Sequence, residues 1–240
     1  MRLSIVIPAY NEERRIGRTL SRVIDYVNRN SIDAEIIVVD DGSTDGTAKL
    51  VEDISAKDRR VKIIQNGKNR GKGFSVRNGV RHSSGDYILF TDADNSTPIQ
   101  EVRKLLSCLE EEGYDIAIGS RALERSKVRI RQPWFRMTMG KTFNLLVRLF
   151  LYGDFMDTQC GFKCFTKEAA LDIFRLQMFD GFSFDIEVLA IAKLKGYRIK
   201  EVPVVWVNSL QSRVNPVKDA FRMLCDIFRL KYNLFKKIYT

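Results

Sequence analysis

Long apolar runs are the first thing this sequence lacks. No stretch of about 18 consecutive apolar residues occurs, so no membrane-spanning helix is expected. The chain enters an apolar strand almost at its first residue, and no signal peptide is expected. Cysteine is scarce and scattered, at Cys108, Cys160, Cys164 and Cys225, and His82 is the single histidine that could join them. That pattern disfavours a disulfide framework and a zinc site, and it reads as reduced, mostly structural thiols in a cytoplasmic protein. His82 reads as the end of a helix. No Gly-x-Gly-x-x-Gly follows the first strand, which disfavours a dinucleotide oxidoreductase. What remains, 45% hydrophobic and 29% charged over 240 residues, suits one large α/β body with a sizeable core, or two small ones.

Acidic charge is scarce only in places. The net charge is +10, yet residues 1–120 carry 18 basic and 19 acidic side chains. The excess lies in 121–150, with 8 basic against 1 acidic, and in 196–240, with 9 against 3. An anionic surface or partner met by the second half is implied. Nucleic acid is a poor candidate, because it would be set beside strand-end carboxylates.

Those carboxylates organise the chain. Asp86 to Phe90 is an apolar, β-favouring run that ends in Thr91-Asp92-Ala93-Asp94. Continuous apolar runs mark buried parallel strands, and ligands of open α/β sheets bind beyond their carboxyl ends. Residues two apart on an extended backbone share a side, so Asp92 and Asp94 can address one object. A divalent cation carried on a nucleotide diphosphate suits two such anions. Three further strands are expected at Leu3–Pro8, Glu35–Val39 and Val61–Gln65. Helices are expected at 13–28, at Lys49–Ile54 (capped by Ser43 or Thr44) and from Asn69-Arg70-Gly71-Lys72-Gly73 to Arg81. Repeated strand–helix alternation implies a mostly parallel sheet. Tyr10 offers a ring that can stack on a base, Glu12 and Asp41 can accept hydrogen bonds from base or ribose, and Lys72 can reach a phosphate. Each also has a plain structural role open to it: a turn residue, a first-turn carboxylate, an Asx-turn and a solvated loop charge.

Pro8-Ala9-Tyr10-Asn11-Glu12, Val39-Asp40-Asp41-Gly42-Ser43-Thr44-Asp45 and Asp92-Ala93-Asp94, in that order, resemble the family 2 glycosyltransferases of GT-A fold. The resemblance covers roughly the first 120 residues. It implies a nucleotide-sugar donor, Mg2+ or Mn2+, and inversion at the anomeric carbon. By that resemblance Pro8, Tyr10, Glu12, Val39 and Asp41 hold the nucleotide, with Lys72, Ala93 and Arg121 in the same donor site. Asp92 faces the ribose or sugar and lies beside the metal, which Asp94 binds; Ser96 stands where a second metal-contacting side chain can occur. Gly119-Ser120-Arg121, Asp157-Thr158-Gln159-Cys160-Gly161-Phe162-Lys163 and Phe184-Asp185-Ile186-Glu187 are similar to the dolichyl-phosphate β-glucosyltransferase branch. The mannosyl-phosphate dolichol synthases share the layout, so GDP-mannose stands as the alternative to UDP-glucose. A glycan acceptor and a non-catalytic basic binding module are further alternatives.

The chemistry expected from that resemblance needs cations. A phosphomonoester acceptor is mostly dianionic near neutral pH and is already a nucleophile. Arg131, Arg136 and Lys163 are expected at the acceptor phosphate, with Arg121 as a further cation and Arg136 favoured for catalysis. Asp157 and Asp185 are the expected catalytic carboxylates, to orient donor hydroxyls or the acceptor, or to act as base for another acceptor. A helix beginning near Asp185 would point Asp185 and Glu187 to different faces, leaving one in the site; Asp185 is the choice, with a helix-cap role as its alternative. Trp134-Phe135, Phe143–Tyr152 and the stripe Val217, Phe221, Leu224, Phe228 and Phe235, each among basic residues, suggest peripheral contact with an anionic cytoplasmic membrane face. On that view deleting residues 215–240 weakens vesicle binding and spares the donor site; a helix packed on the core, or at a dimer contact, is the alternative. The expected division is 1–211 for the GT-A domain, with 1–120 for the donor and 121–211 for the acceptor, then 212–240 for a basic amphipathic helix.

Overall fold

Periods of two and of 3.6 alternate along the chain, and the computed structural model, which describes residues 2–130, 155–207 and 216–239, follows them. The strands are β1 (Arg2–Ala9), β2 (Asp33–Asp40), β3 (Val61–Gln65), β4 (Tyr87–Thr91), β5 (Ile116–Ser120), β6 (Lys127–Ile130), β7 (Phe162–Thr166), β8 (Ile199–Pro203) and β9 (Val205–Val207). The helices are α1 (Glu13–Arg29), α2 (Thr47–Ser55), α3 (Lys72–Arg81), α4 (Val102–Glu110), α5 (Lys167–Leu176), α6 (Phe184–Leu194) and α7 (Pro216–Phe235). Seven strands form one sheet in the order β3-β2-β1-β4-β7-β5-β8, and β6 pairs with β9 in a second. All pairings are parallel except those of β7, which runs antiparallel to β4 and β5. The sheet is therefore mostly parallel, as expected, with one reversed strand that the alternation did not announce.

Strand side chains sort to two faces. Leu3, Ile5 and Ile7 of β1, Ile36 and Val38 of β2 and Leu89 of β4 enter one core with α1, α2 and α4. Val6, Ile37, Val39, Ile88 and Phe90 enter the other, with α3, α5 and α6. Both faces are covered, which is why β1, β2 and β4 read as continuous apolar runs. The strand order reverses direction at β1, so the carboxyl ends of β1 and β4 flank a switch point. Because β7 is reversed, its amino end lies at that same edge: Thr91 pairs with Phe162, and Gly161 comes beside Asp92.

Two local expectations are corrected. Helix α2 starts at Thr47, and neither Ser43 nor Thr44 caps it. The Asp45 carboxylate accepts from the Thr47 N–H at 3.0 Å, while Ser43 Oγ accepts from the Asn11 N–H and the Thr44 N–H donates to Asn11 Oδ1. Those two residues are used to join the loops after β1 and β2. The C-terminal helix is also not simply laid on a surface. Ile227 and Leu230 of α7, and Tyr239 beyond it, are fully buried in the second core. Removing residues 215–240 would therefore open that core as well as alter any membrane contact. His82 ends α3 as expected, and the four cysteines are free, three of them buried. Among the described residues no helix is long and apolar enough to cross a membrane.

Candidate active site

Several chain segments meet at the switch point. The loop after β4 supplies Asp92 and Asp94, and the loop leading into α3 supplies Lys72, whose Nζ lies 2.6 Å from Asp92 Oδ1. Gly71 and Gly73 flank Lys72 because backbone approaches closely on both sides. A Cβ at Gly71, where φ is +105°, would strike the Asp180 carbonyl, and one at Gly73 would strike the Phe179 carbonyl and Phe184. Gly161 serves Asp92 in the same way, since any Cβ there would occupy the space of its carboxylate.

Carboxylate and cation alternate through the site. Asp185, in the first turn of α6, is buried and accepts a hydrogen bond from the ammonium of Lys163. Lys163 is 0% exposed, donates also to the Cys160 carbonyl at 2.7 Å and lies 5.2 Å from the centre of the Phe90 ring. Burial pushes the Asp185 carboxyl up, and the charges of Lys163 and Lys72 only partly offset it. Burial works against the Lys72 charge, but Asp92, Asp185 and Asp94 together hold its pKa above the usual lysine value. Asp157, 2% exposed, takes a two-pronged bond from Arg121 Nε and Nη2 at 2.7 and 2.8 Å, and that guanidinium lies 5.5 Å from the Trp206 ring centre. Despite burial, Arg121 holds the Asp157 carboxyl below its usual value.

The expected donor residues take up distinct places. Tyr10 is exposed at the end of β1, and Pro8 is half-buried. Glu12 opens α1: its carbonyl accepts from the Arg15 and Ile16 N–H groups, and its buried carboxylate is held by Arg15. Asp41 is buried and accepts from Asn66 Nδ2 (2.8 Å) and the N–H groups of Arg70 (3.0 Å) and Gly71 (2.8 Å), so it shapes the loop that aims Lys72. The Val39 side chain lies in the second core, and Ala93 is buried with its carbonyl bonded to Thr19 Oγ1. Lys163, expected at the acceptor phosphate, has its ammonium enclosed beneath Asp185. Asp185 and Glu187 do point to different faces, and Asp185 is the one in the site. Arg131 and Arg136, and the aromatic stretches around them, lie outside the described residues.

Arg15 is the functional candidate that sequence reasoning missed. It grips Glu12 and reaches Asp94 Oδ2 at 3.9 Å, and its only signal was the i, i+3 spacing from Glu12. Asp94 accepts from the Ser96 N–H at 2.9 Å; burial first, and then the charge of Asp92, raise its pKa. A carboxylate destabilised by burial and a neighbouring anion gains from a cation, and two oxygen-donor side chains suit Mg2+ or Mn2+. Among the described residues no cluster of three or more His, Cys, Asp or Glu is placed to hold a metal, so substrate oxygens and water would complete the shell of such an ion.

Comparison with known proteins agrees with this geometry. The family model described as glycosyl transferase family 2 matches residues 4–174. A dolichyl-phosphate beta-glucosyltransferase from Mus musculus is 37% identical over 245 residues, covering 96% of this chain and 75% of its own length. The one from Saccharomyces cerevisiae is 36% identical over 251 residues, covering 97% and 75%. Among solved structures, glucosyl-3-phosphoglycerate synthase from Mycobacterium tuberculosis, in complex with Mn2+, UDP and phosphoglyceric acid, superposes with a TM-score of 0.69. It is 24% identical and covers 95% of this chain and 76% of that one, so it speaks for the fold. The strand-end carboxylates, the reversed β7 that brings Gly161 to Asp92, and the match across residues 4–174 place this chain in glycosyl transferase family 2, with the GT-A fold.

Proposed function

We propose that this protein transfers glucose from UDP-glucose to a dolichyl or polyprenyl phosphate at a membrane surface, with inversion. The observation that carries the proposal is the similarity, over at least 96% of the chain, to relatives named dolichyl-phosphate beta-glucosyltransferase. The site supports it. Tyr10 at the rim can stack on the base, and Lys72 brings a positive charge to the donor phosphates. Asp94, with Asp92 beside it, would hold Mg2+ or Mn2+. When bound, such an ion supplies Lewis-acid stabilisation of the departing diphosphate.

The acceptor phosphate needs no strong base, because its dianion is already nucleophilic. The protein's part is alignment of two anionic reactants. Asp185, bonded to Lys163 and within the field of Lys72, would orient a sugar hydroxyl. Arg121 uses Nε and Nη2 on Asp157, which leaves Nη1 for a phosphate oxygen. Arg131 and Arg136 are the remaining cations proposed for the acceptor. The outward side of α7 carries Phe228, Tyr232 and Phe235 with Arg222, Arg229, Lys231 and Lys236 exposed around them, which suits peripheral contact with an anionic leaflet on the cytoplasmic side.

The test is transfer of label into organic-extractable polyprenyl phosphate from UDP-glucose and from GDP-mannose, with and without Mn2+. Metal-dependent label from UDP-glucose is expected. Label from GDP-mannose alone would overturn the sugar assignment, and label from neither would overturn the lipid acceptor.

A further inference from the structure

Glu187 is a buried carboxylate for which the transfer chemistry has no use. It lies two residues past Asp185 on α6, faces away from the donor site, and accepts three hydrogen bonds. The donors are the N–H groups of Met178 (3.0 Å) and Phe179 (2.7 Å) and the hydroxyl of Tyr239 (2.7 Å). That hydroxyl accepts in turn from Asn233 Nδ2 at 3.0 Å. Tyr239 lies beyond the end of α7 and is fully buried. The last described residue of the chain is thus linked, through Glu187 of α6, to the segment that follows α5.

That segment, residues 177–183, is bonded to the base of the Lys72 loop on its other side. The Asp180 carbonyl accepts from the N–H groups of Gly73 (2.8 Å) and Phe74 (3.2 Å). Arg77 of α3 donates from Nη1 to the Gln177 carbonyl (3.0 Å) and from Nη2 to Asp180 Oδ1 (2.7 Å). Toward α7, Ser183 Oγ donates to Asp226 Oδ2 at 2.6 Å, and the Arg229 guanidinium lies 5.3 Å from the Phe179 ring centre. The two glycines beside Lys72 leave no spacer between these layers, so a shift of 177–183 is a shift of the Lys72 backbone. Displacements of this kind, far from the reacting atoms, can cost large factors in rate or binding.

We infer that Glu187 and Tyr239 are positioning residues for the donor site: the C-terminal segment fixes the 177–183 loop, and through it the aim of Lys72. The inference rests on the reading of Lys72 as a donor ligand given above. Tyr239→Phe removes one hydroxyl and keeps the ring in the core. It is expected to raise the donor KM about fivefold while kcat stays within about twofold. In a Lys72→Met background the same change should have no further effect on donor KM, because the path ends at Lys72. A Tyr239→Phe enzyme with lowered Tm and unaltered donor KM overturns the inference, as does an equal KM increment in both backgrounds. Lys72→Met with an unaltered donor KM would instead remove the donor reading of Lys72, and this inference with it. If Tyr239→Phe does not fold, Asn233→Ala and Glu187→Gln put the same question, with a rise in donor KM expected from each and an unchanged KM in both overturning it.

Discussion

A lysine with no exposed surface needs a reason to be charged, and Lys163 has two: the Asp185 carboxylate and the Cys160 carbonyl. Such a pair gains little over an apolar pair of the same shape, yet removing one member leaves the other buried without compensation. Lys163→Met is accordingly expected to destabilise the protein by roughly 3–5 kcal/mol. Lys163→Met combined with Asp185→Leu should recover much of that loss, and urea denaturation of the three variants reads the difference. A Lys163→Met variant of wild-type stability with a raised acceptor KM would support the acceptor-phosphate role expected from sequence. The motif was legible; the direction of its lysine was not. A lysine and a carboxylate 22 residues apart become neighbours only because β7 pairs with β4 in a register that sets Lys163 opposite Phe90.

Helix α7 has two working faces, and they answer to different measurements. Ile227, Leu230 and Asn233 face inward, while Phe228, Tyr232 and Phe235, at i, i+4 and i+7, face outward, with Phe235 81% exposed. Changing these three outward aromatics to serine should abolish sedimentation with anionic vesicles and leave Tm within a few degrees, because surface changes shift stability by only about 0.5 kcal/mol each. Unchanged sedimentation would exclude this face as the membrane contact. Inward changes should do the reverse, and truncation of the helix would confuse the two. Helical spacing in the sequence showed an amphipathic element with basic flanks. It did not show that the inner stripe closes a core, because which stripe is inner depends on the sheet face that receives it.

Across the whole molecule, buried carboxylates divide by the sign of their shifts, and pH dependence follows. Although burial opposes it, Lys62, Ser4 and Ser84 hold Glu35 down to about 2, and Arg121 likewise keeps Asp157 low. Their stabilisation is present above the unfolded pKa values of about 4 and is lost as pH falls toward the lower folded values. Asp94 and Asp185 are raised, so the folded state binds their protons more tightly than the unfolded chain. Their contribution to the stability of the free protein falls as pH rises from about 4 through the raised values. Asp94→Asn should therefore raise the Tm of the free protein at neutral pH. It should also abolish the extra Tm gain that Mn2+ confers with UDP-glucose, and lower kcat roughly 10³-fold, equivalent to several kcal/mol of lost charge stabilisation. In the unsubstituted protein that Mn2+-dependent gain should grow as pH rises through the raised pKa of Asp94 and its carboxyl loses its proton. A flat profile, or Mn2+ protection retained in Asp94→Asn, would exclude Asp94 as the metal ligand.

Local chemistry determined what could be read along the chain. Apolar periodicity marked β1 to β4 and α1 to α3, and the motifs after β1, β2 and β4 marked the donor edge, because strands in a parallel sheet all present their carboxyl ends to one side. Tertiary structure decided which side chains face that edge. Asp41, Glu12 and Lys163 carry the chemistry expected of ligand-binding residues, and each is also bonded within the protein, to Gly71, Arg15 and Asp185. The antiparallel β7 and the seat of Tyr239 against Glu187 depend on contacts between distant segments. No window of sequence records such pairings, since they are selected by the packing of both sheet faces at once.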